Sequence, residues 1–189
     1  MNVLLHTCCA VCTIAPYRRL TEAGHTATGF FYNPNIHPLI EFRRRLKAQK
    51  VLQEHLPIPM ICDEEYGLRE FLEAVDWRSA RRCEDCYRLR LRRAAAEAVH
   101  RGMDAFSTTL LVSKHQNHEL LRAIGEECAK EAGVPFHCED WRPFCDEGHI
   151  EAKKLGLYHQ KYCGCIFSEY ERFRDTTQHL YRGPGARAE

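Results

Sequence analysis

Val3-Leu4-Leu5-His6-Thr7-Cys8-Cys9 is a short apolar run that leads directly into two adjacent cysteines. A continuous apolar run is typical of a strand that is buried on both faces of a parallel sheet. A helical pattern follows over residues 10–23, with Pro16 early enough for its missing backbone N–H to be tolerated. The chain therefore begins with a strand and a helix joined by a cysteine-bearing loop.

The same alternation of strands and helices continues along the chain. We predict further strands at 28–32, 58–61, 105–110 and 134–138, and further helices at 39–56, 68–75, 82–100 and 117–132. This order predicts an α/β fold with a mostly parallel sheet, helices on both faces and a cysteine-rich helical C-terminal segment. We expect one catalytic metal-binding domain over residues 1–182 and a disordered tail over 183–189.

Composition excludes several classes of protein. The 189 residues are 44% hydrophobic and 28% charged, as in ordinary soluble domains, and the net charge of +1 gives no overall polyanion-binding signature. We find no apolar run near the roughly 20 residues that a membrane span needs, and no signal-peptide pattern at the start. We therefore expect a cytoplasmic protein with reduced thiols. The odd count of eleven cysteines also argues against a disulfide framework.

Seven of the eleven cysteines fall into three tight groups: Cys8-Cys9-x-x-Cys12, Cys83-x-x-Cys86 and Cys163-x-Cys165. Thiolates this close in sequence usually converge on a metal, and seven exceed the four ligands of one structural zinc. The surplus points to an iron–sulfur cluster, with a second metal beside it. For the other four cysteines, Cys62, Cys128, Cys138 and Cys145, we favour structural roles.

Polar residues follow several of the predicted strands. Ligands of parallel α/β sheets bind beyond the carboxyl ends of the strands. Cys8 and Cys9 occupy that position after the first strand, the loop at 33–38 after the second, and Thr108 and Thr109 after the fourth. We therefore expect these segments to meet at one edge of the sheet.

Five short motifs carry a family resemblance. They are His6-x-Cys8-Cys9-Ala10-x-Cys12, Asn33-Pro34-Asn35-Ile36-His37-Pro38, Arg82-Cys83-x-x-Cys86-Tyr87-x-x-Arg90-Leu91, Thr108-Thr109-Leu110-Leu111-x-Ser113 and Tyr162-Cys163-Gly164-Cys165. Together they resemble the QueH family, which comprises epoxyqueuosine reductases unrelated in sequence to the cobalamin-dependent enzymes of that activity. The resemblance runs from residue 4 to about residue 170.

The resemblance implies a Rossmann-like fold of the HUP type and the last step of queuosine biosynthesis. In that step the epoxide on the modified wobble base of tRNA loses its oxygen. The resemblance also implies a 4Fe–4S cluster and an adjacent mononuclear iron, and the seven motif cysteines match the family's ligand positions. This chain departs from the family pattern at Val11, where proline is usual, and at Cys12, where some members have aspartate. How the seven sulfurs divide between cluster and iron stays open at this point.

Candidate proton donors and substrate contacts lie on the same motifs. His6, His37 and Asp140 are candidate catalytic residues, although His6 suits a structural role as well and Asp140 suits a helix cap. Candidate substrate-binding residues are Asn33, Asn35, Tyr87, Thr108, Thr109, Arg142 and Tyr162. No Gly-rich dinucleotide fingerprint follows the first strand, so we expect electrons from an external ferredoxin- or flavodoxin-like donor.

Two basic helical stretches are candidates for binding tRNA phosphates. The predicted RNA contacts are Arg43, Arg44, Arg45, Lys47, Arg90 and Arg93, although solvated helix faces explain such runs equally well. Two other functions stay open from the residues. One is a cluster-dependent desulfidase acting on thiolated bases, and the other is a zinc-binding RNA-interaction domain.

Overall fold

A computed structural model of the chain describes residues 1–177 and residue 180. Its four strands are β1 (Asn2–His6), β2 (Thr26–Phe31), β3 (Met60–Cys62) and β4 (Ala105–Thr108). The α-helices of the described residues are α1 (Ala10–Glu22), α2 (Leu39–Gln53), α3 (Leu68–Ala74), α4 (Arg82–His100), α5 (His118–Ala132), α6 (Cys145–Lys154) and α7 (Ile166–Phe173). The tail predicted at 183–189 lies outside the described residues.

The four strands form one parallel sheet in the order β3-β2-β1-β4. β1 lies between β2 and β4, with Leu4 paired to Thr28 on one side and to Phe106 on the other. Val3, Leu4 and Leu5 are fully buried, as the continuous apolar run predicts. The α/β fold with a parallel sheet is therefore confirmed.

Helices cover this sheet as two packed layers. α1 contacts α2 and α6, whereas α4 contacts α3 and α5 as well as β1 and β4. α4 has a strongly apolar side formed by Leu91, Ala94, Ala95 and Ala98, all of them fully buried. Because these side chains are mostly alanine, α4 can lie close to the central strands and bring its first turn to the carboxyl edge of the sheet.

The structure differs from the sequence-based assignment in the lengths of some elements. The fifth strand predicted at 134–138 is wrong as a full strand, since the structure forms only a single parallel bridge between Phe106 and Phe136. Pro135 explains the difference, because a proline has no N–H to extend the ladder. β4 also ends at Thr108, earlier than predicted, and a 3-10 helix over Thr109–Val112 replaces its last residues.

The described helices include none with both the length and the apolar character needed to cross a bilayer. The carboxyl ends of β1, β2 and β4 lie at one edge of the sheet. This edge is polar and holds the buried side chains of His6, Asn33 and Thr108. This edge is where the cysteine-bearing loops lie.

Candidate metal centre

The seven motif cysteines lie at the N-termini of three helices. Cys9 is the N-cap of α1, and its sulfur accepts a hydrogen bond from the backbone N–H of Cys12 at 3.3 Å. Cys83 and Cys86 are the second and fifth residues of α4. Cys165 is the N-cap of α7, and its sulfur accepts from the N–H of Ser168 at 3.4 Å. Because a helix N-terminus carries partial positive charge and N–H groups, each position offers some compensation for a thiolate, although burial acts against it.

Cys8, Cys9 and Cys12 form a compact group of three sulfurs, all within 4.8 Å of one another, and this group could hold a metal ion. Cys8 and Cys9 are adjacent in sequence, yet their sulfurs are only 3.8 Å apart because β1 ends at His6. Thr109 fixes Cys8 twice, since its Oγ1 accepts from the Cys8 N–H at 3.0 Å and donates to the sulfur at 3.2 Å. Gln160 donates its amide to the sulfur of Cys9 at 2.8 Å.

Of these three thiols, only that of Cys8 is favoured as a thiolate. Hydrogen bonds from the thiols of Cys12 and Cys9 hold the pKa of Cys8 well below its usual range. Burial raises the pKa of Cys9, and hydrogen bonding to Cys8 together with burial raises that of Cys12. A second and third thiolate in so small a space require a cation to balance them, which a bound metal ion provides.

Cys83, Cys86, Cys163 and Cys165 form a second group. The pKa of Cys86 is raised to about 12, chiefly by burial and to a smaller extent by the nearby thiols of Cys163, Cys165 and Cys83. Gln116 links the two halves of this group, because it accepts from the hydroxyl of Tyr87 at 2.5 Å and donates to the sulfur of Cys163 at 3.5 Å. All eleven cysteines are free thiols. Among the described residues, Cys8, Cys9 and Cys12 alone bring three ligand atoms within 4.8 Å of one another, and an all-sulfur donor set of this kind fits soft metals such as iron or zinc.

A strap over residues 158–165 connects the two groups and is held by α2. The buried guanidinium of Arg45 donates to the carbonyl oxygens of Tyr162 and Cys163 at 2.9 and 2.8 Å. Its Nε donates to Glu41 at 2.7 Å, and Glu41 in turn accepts from the hydroxyl of Tyr158 at 2.5 Å. Arg45 therefore fixes the backbone that presents Cys163.

Gly164 lets this strap lie close to the Asn33–Pro38 loop. Its φ is +150°, and a Cβ added there would lie 3.0 Å from the Asn35 amide nitrogen and 3.4 Å from a guanidinium nitrogen of Arg45. The carbonyl of Gly164 accepts from the backbone N–H of His37 at 2.8 Å, and Tyr162 donates its hydroxyl to the His37 carbonyl at 2.6 Å. Only glycine satisfies both the close approach and the backbone conformation.

Both histidines of the predicted catalytic set are buried and hydrogen-bonded. His6 donates from Nε2 to the carbonyl of Tyr32 at 3.1 Å, so its Nδ1 accepts from the hydroxyl of Thr108 at 2.8 Å. Burial and the nearby Arg90 lower the pKa of His6 to about 3. His37 donates to the carbonyl of Pro34 at 3.0 Å, and burial lowers its pKa too. Both rings are therefore neutral at physiological pH.

The third predicted catalytic residue, Asp140, lies at the surface. Arg142 donates to it through the side chain at 2.6 Å, and this pairing holds the pKa of Asp140 at about 2. The two residues predicted for catalysis and base recognition are thus bound to each other. The remaining predicted substrate contacts lie at the carboxyl edge beside the thiol groups: Asn33, Asn35, Tyr87, Thr108, Thr109 and Tyr162.

The structure divides the predicted RNA contacts into exposed and buried residues. Arg43, Arg44, Lys47 and Arg93 are exposed, whereas Arg45 and Arg90 are each only 1% exposed. We therefore correct the expectation for Arg45 and Arg90, because side chains buried this completely do not reach a phosphate backbone. Both face the interior beside the cysteines.

A cavity of about 460 Å³ lies beyond the carboxyl ends of β2 and β3 and was not anticipated from the sequence. Its lining includes Tyr32, Asn33, Asp63, Tyr66 and Glu70. Asn33 joins the cavity to the thiol groups, because its amide nitrogen donates to the carbonyl of Thr7 at 2.8 Å, next to Cys8. Asp63 could have been predicted from the sequence only because it directly follows a strand. No sequence motif includes Tyr66 or Glu70.

Comparisons with known proteins agree with one another. A family model described as epoxyqueuosine reductase QueH matches residues 3–171. The chain is 40% identical over 173 residues to a protein named epoxyqueuosine reductase QueH from Dehalococcoides mccartyi, covering 91% of this chain and 94% of the relative. It is 36% identical over 181 residues to a protein of the same name from Thermotoga maritima, covering 90% and 92%. A third relative of that name, from Haemophilus influenzae, is 30% identical over 189 residues, covering 93% and 76%.

We predict that Arg45→Gln lowers the free energy of unfolding by about 3 kcal/mol, because it leaves Glu41 and two carbonyl groups without their buried partner. Urea unfolding monitored by circular dichroism measures this difference. Arg43→Gln, on an exposed position of the same helix, is the matched control and is expected to change stability by less than about 0.5 kcal/mol. Equal stability of the two variants would contradict the assigned role of Arg45.

Proposed function

The chain belongs to the epoxyqueuosine reductase QueH family, and we propose that it is the oxidoreductase that converts epoxyqueuosine to queuosine at the wobble position of tRNA. The reaction takes up two electrons and two protons, converts the epoxide to the alkene of the cyclopentene ring and releases the oxygen as water. The observation that carries the proposal is the compact group of Cys8, Cys9 and Cys12 at the carboxyl edge of the sheet, with the thiols of Cys83, Cys86, Cys163 and Cys165 close enough to one another to raise the pKa of Cys86.

We assign the two thiol groups to two metal centres. Cys83, Cys86, Cys163 and Cys165 supply the four thiolates that a 4Fe–4S cluster needs. Cys8, Cys9 and Cys12 supply three ligands to the adjacent iron, which leaves room for a further ligand. When bound, the cluster supplies electrons one at a time, and the iron supplies Lewis acidity for the departing oxygen.

The protein's own residues position the thiol groups. Thr109 and Gln160 donate hydrogen bonds to the sulfurs of Cys8 and Cys9, and such contacts orient ligands and tune a metal centre. His6 is fully buried between Thr108 and Tyr32, so we assign it to holding the ends of β1, β2 and β4 together. We assign the same kind of positioning role to His37 in the loop that supports Gly164.

We propose that the modified base enters the cavity beyond β2 and β3. A wobble base is unpaired, so it can be drawn out of the anticodon loop and stacked on aromatic side chains. Tyr66 supplies a partly exposed aromatic ring, whereas Tyr32 is buried in the cavity wall, and the volume of about 460 Å³ lies within the range of small-molecule sites. Asn33, which lines the cavity and contacts Thr7, would place the base beside the thiol groups.

An external donor would deliver the two electrons, since the loop after β1 carries cysteines instead of a Gly-rich phosphate-binding turn. A ferredoxin- or flavodoxin-like protein suits one-electron delivery. We expect the enzyme to work in the cytoplasm, where tRNA is modified and thiols stay reduced. Stoichiometric FAD or NAD(P)H in the purified active enzyme would contradict the external donor.

The proposed cofactors are tested by anaerobic purification and by counting metals for each chain. We predict about five irons and about four acid-labile sulfides, because a cluster and a separate iron differ by one iron. The same preparation, given a chemical reductant, is expected to convert epoxyqueuosine in tRNA to queuosine. Zinc without labile sulfide would contradict the redox mechanism. Release of sulfide from a thiolated base, without loss of the epoxide, would favour a desulfidase instead.

The exposed basic residues of α2 are proposed to contact tRNA phosphates. Arg43 and Lys47 lie one turn apart on the same face of the helix, so one stretch of backbone can reach both. Arg43→Glu with Lys47→Glu is expected to weaken tRNA binding at least tenfold and to reduce the salt dependence of the affinity by about two charges. Fluorescence anisotropy at several salt concentrations measures both effects.

The matched control reverses two exposed charges on α5, Arg122→Glu with Lys130→Glu, and so makes the same change in net charge elsewhere. We expect this control to retain most of the affinity. Equal weakening by both double variants would show that net charge alone matters, and it would remove α2 from the proposed RNA surface.

A further inference from the structure

α4 buries a cation that has no carboxylate partner. Arg90 is 1% exposed, its Nη2 donates to Asn33 Oδ1 at 2.8 Å, and its Nε has no hydrogen-bond partner. Within the described residues no Asp or Glu forms an ion pair with it. Arg45, which is buried to the same extent, pairs with Glu41 at 2.7 Å. Arg90 therefore differs from the other buried arginine in lacking a fixed counter-anion.

An unpaired buried cation is costly, because the protein interior does not replace the water that solvated its charge. Such a group persists where another interaction compensates for it. A neutral amide such as Asn33 satisfies one donor but carries no negative charge. The compensation for Arg90 must therefore come from an anion in its surroundings.

The surroundings of Arg90 are the two thiol groups. Cys86 lies one turn earlier on the same face of α4. On its other side, Asn33 connects Arg90 to the carbonyl of Thr7, the residue before Cys8. The pKa of Cys86 is raised to about 12, because burial and the neighbouring thiols together outweigh the Arg90 guanidinium, which is the main influence that lowers it. Arg90 also helps to keep the pKa of Cys8 low, after the hydrogen bonds from Cys12 and Cys9 and against the effect of burial.

We propose that Arg90 is the shared counter-cation of the two metal–thiolate centres and sets their reduction potentials. The inference rests on the proposed function, since it concerns the charge of thiolates that hold metals. Reduction adds negative charge to a centre, and a fixed neighbouring cation stabilises the reduced form. Arg90 thus makes both centres easier to reduce, and it acts as a positioning and tuning residue without touching the substrate.

Arginine suits this role better than lysine or histidine. Its pKa keeps the guanidinium charged even when it is buried, and its planar fork can face two sulfur groups while it still donates to Asn33. A purely structural role would depend on the Asn33 hydrogen bond alone. The charge and the hydrogen bond can be separated by substitution, because lysine keeps the charge, glutamine keeps a donor, and methionine keeps neither.

The test compares iron-loaded full-length wild type with R90K, R90Q and R90M in anaerobic redox titrations followed by the visible absorbance of the cluster. For R90Q and R90M we expect the ratio of reduced to oxidised centre at a given solution potential to fall at least tenfold, about 59 mV for one electron. R90K is expected to stay within threefold of wild type. The matched control is R92Q. Arg92 is an exposed residue of α4, the same helix as Arg90, but is paired with Glu131 of α5, and its substitution is expected to leave the ratio unchanged.

Unchanged ratios in R90Q and R90M, or a shift in R90K as large as that in R90Q, would overturn the role of the charge. Iron content gives a second measurement if a variant fails to hold its centres. Loss of iron from R90Q and R90M but not from R90K supports the inference, whereas loss from all three variants overturns it. An absence of labile sulfide in wild type would contradict the proposed function itself, and that result is visible before any variant is compared.

Discussion

Seven thiols gathered at one edge of a sheet impose the constraint on which the rest of this structure depends, because thiolates repel one another and are costly to bury. The fold meets that constraint by pointing the N-termini of α1, α4 and α7 at the same region, so that each cysteine group has free backbone N–H groups and a partial positive charge beside it. The parallel sheet makes this possible, since it ends β1 and β4 together and leaves space beyond them.

Two buried arginines, Arg45 and Arg90, lie near the cysteines and have different roles. Arg45 forms a neutral pair with Glu41 and uses its other donors to hold the carbonyls of Tyr162 and Cys163, so it orders the backbone. Among the described residues Arg90 forms a hydrogen bond only with Asn33 and no ion pair, and its proposed role is that of a net positive charge near the sulfurs. The same residue type thus supplies hydrogen-bond geometry at one position and electrostatic compensation at the other. The strap over 158–165 contacts both thiol groups. Its Gln160 donates a hydrogen bond to the sulfur of Cys9, and its Cys163 belongs to the second group.

Much of the fold and part of the site could be predicted from the sequence. The apolar run before Cys8 identifies a central parallel strand, and the bounds of α4 are those of the predicted helix at 82–100. The basic runs predicted RNA contacts at Arg45 and Arg90, which are buried. The sequence shows the charge of a helical residue more clearly than the direction in which its side chain points. The cavity residues Tyr66 and Glu70 belong to no local pattern, so they required the three-dimensional structure. The proposed division of the cysteines likewise depends on which loops lie close in space, and the spacing of the cysteines in the sequence does not give this.

The central claim is that the thiols form two distinct centres, and metal analysis of cysteine variants tests it most directly. Iron and labile sulfide would be counted in anaerobically purified Cys12→Ser and in the double variant Cys83→Ser with Cys86→Ser, with Cys138→Ser, an exposed cysteine outside both groups, as the control. The account predicts that Cys12→Ser keeps its labile sulfide and loses only the additional iron, whereas the double variant loses its labile sulfide. Loss of labile sulfide from Cys12→Ser together with its retention in the double variant would contradict the assignment.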